Sequence, residues 1–88
     1  MRDVDLRISF RNGLPRLGYL YLSDPKEKSA RSRRVELGMV LDFNKGGKLI
    51  GIELLAPQKI TLEAINKILE EYGQEPLKES DLAPILAA

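Results

Sequence analysis

Apolar and polar residues alternate along much of the first 57 positions, which is typical of β-strands with one buried face. The first run covers residues 4–10, and the turn signal at 12–13 separates it from a second run over 17–22. The second run places two tyrosines on one face and two leucines on the other, and either face could point inwards. A third, short run over 31–36 has few large apolar residues, so we expect it at an edge of the sheet.

The longest strand signal extends from residue 38 to residue 55, where two strands fold back on each other around 44–47. Gly46 and Gly47 favour a turn there, since glycine takes positive φ without steric cost. An even loop of four residues sets Leu41 opposite Ile50, whereas an odd loop would require a compensating bulge. The even loop puts Met39, Leu41, Phe43, Ile50, Ile52 and Leu54 on an apolar face, and Val40, Asp42, Leu49, Gly51 and Glu53 on the other.

From Ile60 the apolar period becomes that of an α-helix. Thr61 is placed to cap its N-terminus, and Gly73 to occupy the position after its C-terminus. The helix is the natural cover for the apolar face of the hairpin. A shorter last helix, capped by Ser80 or Asp81, or a frayed end is expected to follow. The apolar stripe of the main helix consists of Leu62, Ile65, Ile68, Leu69 and Tyr72.

Together these elements predict a single α+β domain over residues 1–88. Residues 1–57 form an antiparallel meander sheet of four or five strands, and residues 58–73 hold the main helix packed on one face. Residues 74–88 form a tail with a short last helix or a frayed end. Because one helix covers only one face of a sheet, the remaining apolar surface is compatible with a homodimer.

The composition removes several classes of chemistry. The 88 residues contain 14 Lys and Arg, 13 Asp and Glu, no His and no Cys. Histidine acid–base catalysis, Ser-His-Asp and Cys-His nucleophiles and Cys/His zinc sites are therefore excluded. We expect a non-enzymatic protein with no metal or other cofactor. The charged start of the chain does not resemble a signal peptide, and lack of cysteine fits a reducing compartment, so we expect a cytoplasmic location without membrane contact.

Asp42 and Glu53 are the best candidates for carboxylate chemistry. In the even-loop register they lie about 13 Å apart, too far to cooperate across a glycosidic bond or to chelate one ion. We expect them to be solvated or hydrogen bonded, with Asp42 able to cap the neighbouring turn. Gly51 marks either a place of close ligand approach or, as we favour, a bulge or tight spot beneath a neighbouring side chain.

Two segments could contact a partner. The basic stretch 26–34 is most simply a solvated edge or loop. The second alternative is a binding site for an acidic protein, and the least favoured is a binding site for nucleic acid. Glu27 and Glu36 dilute its charge, and no aromatic residues interrupt it. The apolar tail could pack on a protein. The candidate partner-binding residues are Lys26, Lys28, Arg31, Arg33, Arg34, Leu82, Ile85 and Leu86, and the structural ones are Gly46, Gly47, Gly51, Thr61 and Gly73.

The chain resembles a small bacterial family, the domain of unknown function 2283, over residues 8–56. Leu20-Tyr21-Leu22 looks like an earlier strand of that family, and Phe10 takes the place of its usual tyrosine. The family usually has acidic residues between its first two strands, whereas residues 11–16 are basic here, so a site built on those acids is lost or inverted in charge. The other matching residues are Glu36, Gly38, Asp42, Gly46 or Gly47, and Gly51-Ile52-Glu53 with Leu54-Leu55.

The resemblance implies little about chemistry, because the family has no established activity and no assigned site. Some members resemble antitoxins of toxin–antitoxin pairs, which implies binding and masking of a small protein. We therefore expect an interaction module whose partner is a second copy of the chain or a small neighbouring-gene product. A nucleic-acid-binding accessory protein using the basic stretch 26–34 is the alternative.

Overall fold

A five-stranded antiparallel sheet forms the core, with one α-helix packed on it. The computed structural model describes residues 4–83, apart from the side chain of Leu37. This architecture confirms the predicted α+β class. The strands are β1 (Asp5–Arg11), β2 (Leu14–Tyr21), β3 (Arg31–Val35), β4 (Met39–Phe43) and β5 (Leu49–Leu54), the helix is α1 (Leu62–Glu71), and short 3-10 turns span Glu36–Gly38, Pro57–Lys59 and Glu79–Leu82.

The strands lie in the order β1-β2-β5-β4-β3, so β5 is central and β3 is an edge strand, as its sequence predicts. A simple meander would place β3 beside β2, and that part of the prediction is wrong. The chain crosses from β2 to the far edge of the sheet before β3 begins. The physical reason lies in β5, whose residues are almost all buried. Its backbone N–H and C=O groups need partners on both sides, and β2 supplies the second set through pairs from Gly18–Leu54 to Tyr21–Gly51.

The hairpin between β4 and β5 turns through three residues, 45–47, so the predicted even loop is wrong. Asn44 N–H donates to the Lys48 carbonyl at 2.9 Å, and Gly47 N–H donates to the Asn44 carbonyl at 3.0 Å. Gly47 has a φ of +86°, a conformation that favours glycine. Three-residue hairpin loops of this kind characteristically place glycine at the left-handed position.

A β-bulge in β5 compensates for the odd loop. Phe43 pairs with Leu49, but the preceding Asp42 pairs with Gly51, so Ile50 is an additional residue in β5. The odd loop and the bulge each shift the pairing by one residue. Two such shifts together return each side chain beyond the bulge to the face that an even loop would give it. The bulge is the feature that the alternation of residue types could not reveal.

The predicted apolar face is confirmed in a different register, except at Ile50, which is buried but lies outside the core cluster. Leu41 faces Ile52 in place of Ile50, a difference of two residues, and the six predicted side chains are all buried. Leu49, expected on the opposite face, is 2% exposed and belongs to the core, because it lies at the bulge. The core cluster consists of Leu20, Leu22, Met39, Leu41, Phe43, Leu49, Ile52, Leu54, Ile60, Ile65, Leu69, Leu77 and Leu82.

Helix α1 is capped at both ends. The Thr61 hydroxyl accepts a hydrogen bond from Ala64 N–H at 3.1 Å, which satisfies one of the free donors of the first turn. At the other end Gly73 has a φ of +69°, and the following Gln74 N–H donates to the Leu69 carbonyl, as in a Schellman motif. Of the predicted stripe, Ile65 and Leu69 are buried in the core, and Leu62, Ile68 and Tyr72 are partly buried against it.

The segment after α1 is fastened back onto the helix. The Asn66 side chain accepts the Leu77 N–H at 2.7 Å and donates to the Leu77 carbonyl at 3.1 Å. The last 3-10 turn is preceded by Lys78, so the predicted cap at Ser80 or Asp81 is wrong. Asp81 lies inside the turn and its carboxylate accepts the Lys78 N–H at 2.9 Å. The remaining part of the predicted tail, residues 84–88, lies outside the described residues.

Candidate protein-interaction face

The sheet face opposite α1 is covered by no helix of the described chain, and we call it the open face. Side chains alternate along each strand, so the strand register decides which of them meet on this face. Two rows cross all five strands. One row contains Asp5, Tyr21, Gly51, Asp42 and Ser32, and the other contains Arg7, Tyr19, Glu53, Val40 and Arg34.

Asp42 accepts two hydrogen bonds at the middle of the open face. The Tyr19 hydroxyl donates to Oδ2 at 2.5 Å, and the Ser32 hydroxyl donates to Oδ1 at 2.6 Å. Hydrogen bonds to a carboxylate are shorter and stronger than those between neutral groups. Asp42 therefore joins its own strand, β4, to β2 and β3, which agrees with the expectation that it is hydrogen bonded.

The turn-capping role predicted for Asp42 belongs to Asn44. Its side-chain oxygen accepts the N–H groups of Gly46 at 3.0 Å and Lys48 at 2.9 Å. Its amide nitrogen donates to Glu27 at 2.8 Å, and this bond, together with one from Ser23, lowers the pKa of Glu27. Asn44 suits this position because its short side chain reaches backbone groups two residues away.

Gly51 is a tight spot beneath a neighbouring side chain, the alternative that the sequence favours. The ring of Tyr19 lies over β5 at this glycine, and its hydroxyl reaches Asp42 on β4. A Cβ atom at position 51 would lie 2.5 Å from Cε1 and 2.6 Å from Cζ of Tyr19, closer than carbon atoms approach without displacement. The absence of a side chain at Gly51 thus makes room for the hydrogen bond between Tyr19 and Asp42.

The aromatic pair on β2 is linked to the edge strand β1. The ring centroids of Tyr19 and Tyr21 are 4.6 Å apart, with the planes inclined by 50°. The Arg7 guanidinium lies over the Tyr21 ring at 5.0 Å, and its Nε donates to Asp5 at 2.9 Å. Contacts therefore run without interruption from β1 through the two tyrosines to Asp42.

Tyr19 is held in its protonated form. Burial, the hydrogen bond to Asp42 and the charge of that carboxylate raise the pKa of Tyr19 far above its ordinary value of 10.0, and Tyr21 and Glu53 add to this. The phenol is therefore a stable hydrogen-bond donor at neutral pH and not a proton acceptor.

The observed register changes the relation between the two carboxylates. Asp42 is opposite Gly51, so Glu53 is its diagonal neighbour, about 7–8 Å away between Cα atoms. The expected separation of about 13 Å is wrong because it assumed the even loop. Within residues 4–83, no group of three or more His, Cys, Asp or Glu residues is arranged to hold a metal ion.

The β1–β2 hairpin extends beyond β5 and carries large exposed apolar side chains. Strand β2 pairs with β5 only from Gly18 onwards, which leaves residues 14–17 paired with β1 alone. Leu14 is 67% exposed, Phe10 53% and Leu17 47%. The alternation places Leu14 and Leu17 on the open face, beside the tyrosines, and Phe10 on the side of α1.

The basic stretch 26–34 does not form one patch, because strand alternation divides it. Arg31 and Arg33 lie on the α1 side, where Arg31 is 5.5 Å from the centroid of Phe43 and Arg33 Nη1 donates to the Tyr72 hydroxyl at 3.1 Å. Arg34 lies on the open face. The two lysines precede β3 in an exposed loop. A partner would therefore meet these charges on two sides of the sheet.

The predicted contact residues of the tail fall into two groups. Leu82 is 1% exposed and packs in the core, so its side chain is not at the surface. Ile85 and Leu86 lie outside the described residues, and their role in partner binding stays a prediction. Reasoning from the sequence did not select Tyr19, Ser32 or Arg7. The Tyr-x-Tyr spacing and the serine within a basic strand were visible signals, but only the register brings them together.

These features define a small α+β domain with one helix-covered and one open sheet face. Residues 18–56, from β2 to the end of β5, match the family described as Protein of unknown function (DUF2283). The match confirms the resemblance that the sequence indicates for this segment. Comparisons with curated proteins and with solved structures gave no match. Among the described residues, no helix is long and apolar enough to cross a membrane.

Proposed function

We propose that the protein is a non-enzymatic module that binds a protein partner through the open face. The observation that carries this proposal is the combination of Tyr19, Tyr21 and exposed Leu17 on a face that no helix within residues 4–83 covers. Tyrosine and arginine are enriched at protein interfaces, and tyrosine supplies a large contact area with few rotatable bonds. The hydrogen bonds to Asp42 support the same role, since a pre-ordered surface loses less entropy on binding.

The charges of the open face favour a protein over a nucleic acid. Guanidinium groups of Arg7 and Arg34 are interspersed with the carboxylates of Asp5, Asp42 and Glu53. Nucleic-acid affinity depends on neutralising phosphates with clustered positive charge. A phosphate chain crossing this face would meet carboxylates beside the tyrosines, whereas a protein surface can offer complementary charges of both signs.

The absence of histidine and cysteine supports the non-enzymatic part of the proposal. Two polar groups at the centre of the open face, the Tyr19 hydroxyl and the Asp42 carboxylate, are hydrogen bonded to each other. The cysteine-free composition is also compatible with action in the cytoplasm. The finer, antitoxin-like form of the proposal rests on the character of some family members, and in it a small toxin would be masked by contact with the open face.

Co-expression with small neighbouring-gene products, followed by titration calorimetry on the purified pair, tests this proposal. Leu17→Asp is expected to weaken the complex at least about tenfold, because it puts a charge into the apolar part of the interface. Gln58→Asp, at an exposed position near α1, makes the same change in charge and should bind like the parent. Thermal unfolding checks that both variants are folded. Recovery of only the protein's own copies, or equal binding by both variants, would overturn the proposal.

A further inference from the structure

Strand β1 is an edge of the sheet, and the 3-10 turn Glu79–Leu82 contacts it without pairing with its backbone as a strand. It pairs only with β2, so the outer side of its backbone has no strand partner in the described chain. Soluble proteins usually blunt such an edge with proline, a bulge, a very short strand or charged side chains, and the charges of β1 are of both signs, so a second copy can pair with them. β1 has seven residues and no proline. The bulge in its hairpin adds Arg16 to β2, so β1 itself stays regular.

We propose that β1 pairs antiparallel with β1 of a second copy of this chain, centred on Ile8, to form a two-fold dimer with one continuous sheet. A two-fold axis normal to the sheet keeps both helices on one side and both open faces on the other. This inference concerns the edge of the sheet and is independent of the function proposed for the open face.

The sequence of β1 selects the register. Directly opposed residues of an antiparallel pair share a face, so a symmetric pairing must be centred on a residue. Centring on Arg7 sets that arginine opposite its own copy, and centring on Ser9 sets Arg7 opposite Arg11 of the second copy. Centring on Ile8 avoids both repulsions, sets Asp5 opposite Arg11 of the second copy and, unlike centring on Leu6, pairs all seven residues of β1.

The same register also pairs the apolar residues. On the α1 side, Leu6 faces Phe10 of the second copy and Ile8 faces its own copy. Leu6 and Ile8 already pack partly against the core, whereas Phe10 is 53% exposed. Pairing would thus extend the core across the two-fold axis and cover the one exposed phenylalanine among the described residues, which the monomer leaves in water.

The other edge of the sheet does not offer an equivalent pairing. Centring two copies of β3 on Ser32, Arg33 or Arg34 sets two arginines opposite each other in every case. Pairing β1 with β3 of another copy would bring Arg7 and Arg11 against this arginine-rich strand. Charge therefore directs association to β1 with β1, and it disfavours the open-ended chains that a β1–β3 contact would build.

The dimer should depend on concentration, because pairing along one seven-residue strand buries less than the ~1,600 Å² of a standard stable interface. Light scattering over a series of concentrations at low salt is therefore the suitable measurement. Wild-type protein is expected to approach twice the 9.9 kDa mass of the chain as concentration rises.

Two charge reversals provide the test. Asp5→Arg alone sets the introduced arginine opposite Arg11 of the second copy, and Arg11→Asp alone sets two aspartates opposite each other, so each variant should stay monomeric. An equimolar mixture of the two restores an opposite-charge pair at both ends of the seam and should dimerise. Arg34→Asp makes the same reversal on the opposite edge and should dimerise like wild type. Both sites are exposed, and the Asp5–Arg7 surface pair contributes little stability, so the variants should fold.

Mixing the two variants distinguishes specific pairing of the β1 strands from a general effect of charge on association. A wild-type protein that stays at 9.9 kDa at every concentration overturns the proposal. It is also overturned if both single variants still dimerise, or if their mixture remains monomeric while each variant is folded by circular dichroism. A monomer that dimerises only after removal of residues 84–88 would assign the β1 edge to the chain's own end, contrary to the proposal.

Discussion

Tyr19 donates a hydrogen bond to Asp42 across Gly51, so a side chain of β2 reaches β4 over a central strand that offers no side chain between them. The bond therefore needs three correct residues on three strands. All three lie in the segment that matches DUF2283. Their arrangement explains a glycine in an otherwise apolar strand, and it gives the open face a fixed centre.

Gly51→Ala should lower the free energy of unfolding by about 1–2 kcal/mol. The new methyl group would displace the Tyr19 ring and break its hydrogen bond to Asp42. Chemical denaturation of the two proteins measures the difference.

A double-mutant cycle identifies the cause of that loss. In a Tyr19→Ala background the ring is absent, so adding Gly51→Ala should cost nothing or stabilise the strand slightly. An equal cost of Gly51→Ala in both backgrounds would show that Gly51 does not make room for the Tyr19 ring.

Alkaline pH should destabilise the fold through Tyr19. The pKa of Tyr19 is raised in the folded state above its unfolded value of 10.0, so its contribution to stability is complete below pH 10 and is lost as pH rises towards the folded pKa. Tyr19→Phe should flatten the fall in unfolding free energy above pH 10. In a tyrosinate absorbance titration it should also remove a component that ionises only at very high pH. An unchanged titration curve would argue against the buried hydrogen bond to Asp42.

Gly47→Ala should cost about 1 kcal/mol of stability, because position 47 has a positive φ that a residue with Cβ adopts at a cost. Gly46→Ala is the matched control in the same loop. Its φ is not positive, and an added Cβ would meet only the Asn44 side-chain oxygen at an ordinary 3.5 Å. Equal effects of the two substitutions in thermal unfolding would be inconsistent with the three-residue loop.

Thr61→Ala should destabilise the protein by about 1 kcal/mol, since the Ala64 N–H would lose its side-chain acceptor at the start of α1. Thr61→Ser keeps a hydroxyl in the same place and should retain nearly all of the stability. Denaturant unfolding of the three proteins gives the comparison, and a serine variant as weak as the alanine variant would exclude capping as the cause.

Nucleic-acid binding should be weak, about 10⁻⁴–10⁻⁶ M or poorer at physiological salt, as for non-specific contacts. The arginines of β3 are divided between two sides of the sheet, and Arg33 is engaged with Tyr72. Fluorescence anisotropy with duplex and single-stranded probes at two salt concentrations measures this. Tight, salt-dependent binding that falls on replacing Arg31, Arg33 and Arg34 by alanine would instead support the nucleic-acid function.

The spacing of apolar residues predicted the strands and the helix, because each of these elements buries one face and its apolar residues therefore recur at a fixed interval. The alternation in β1 and β2, the helical stripe from Leu62 and the capping residues Thr61 and Gly73 are local signals, and they agree with the structure. The position of β3 at an edge was also predictable, because only Val35 among its residues is large and apolar.

Register and strand order could not be predicted in the same way. The bulge at Ile50 changes the partner of every residue of β4 from Met39 to Asp42, and Gly51 signalled a bulge or a tight spot without indicating which of the two or how the register shifts. The pairing of β2 with β5 depends on the unsatisfied edge of a central strand, which is a property of the assembled sheet. The candidate site followed from these two features, so Tyr19, Asp42 and Ser32 could be recognised as neighbours only after the fold was known.

The position of β2 beside β5 has a consequence for the order of folding. Strands β3, β4 and β5 and the helix follow one another closely along the chain, whereas the seam between β2 and β5 joins residues as distant as Gly18 and Leu54. Closing a long loop carries an entropic cost that must be met before the contacts form. The carboxy-terminal part can therefore assemble first, and docking of the β1–β2 hairpin onto it would be the slow step that sets the folding rate.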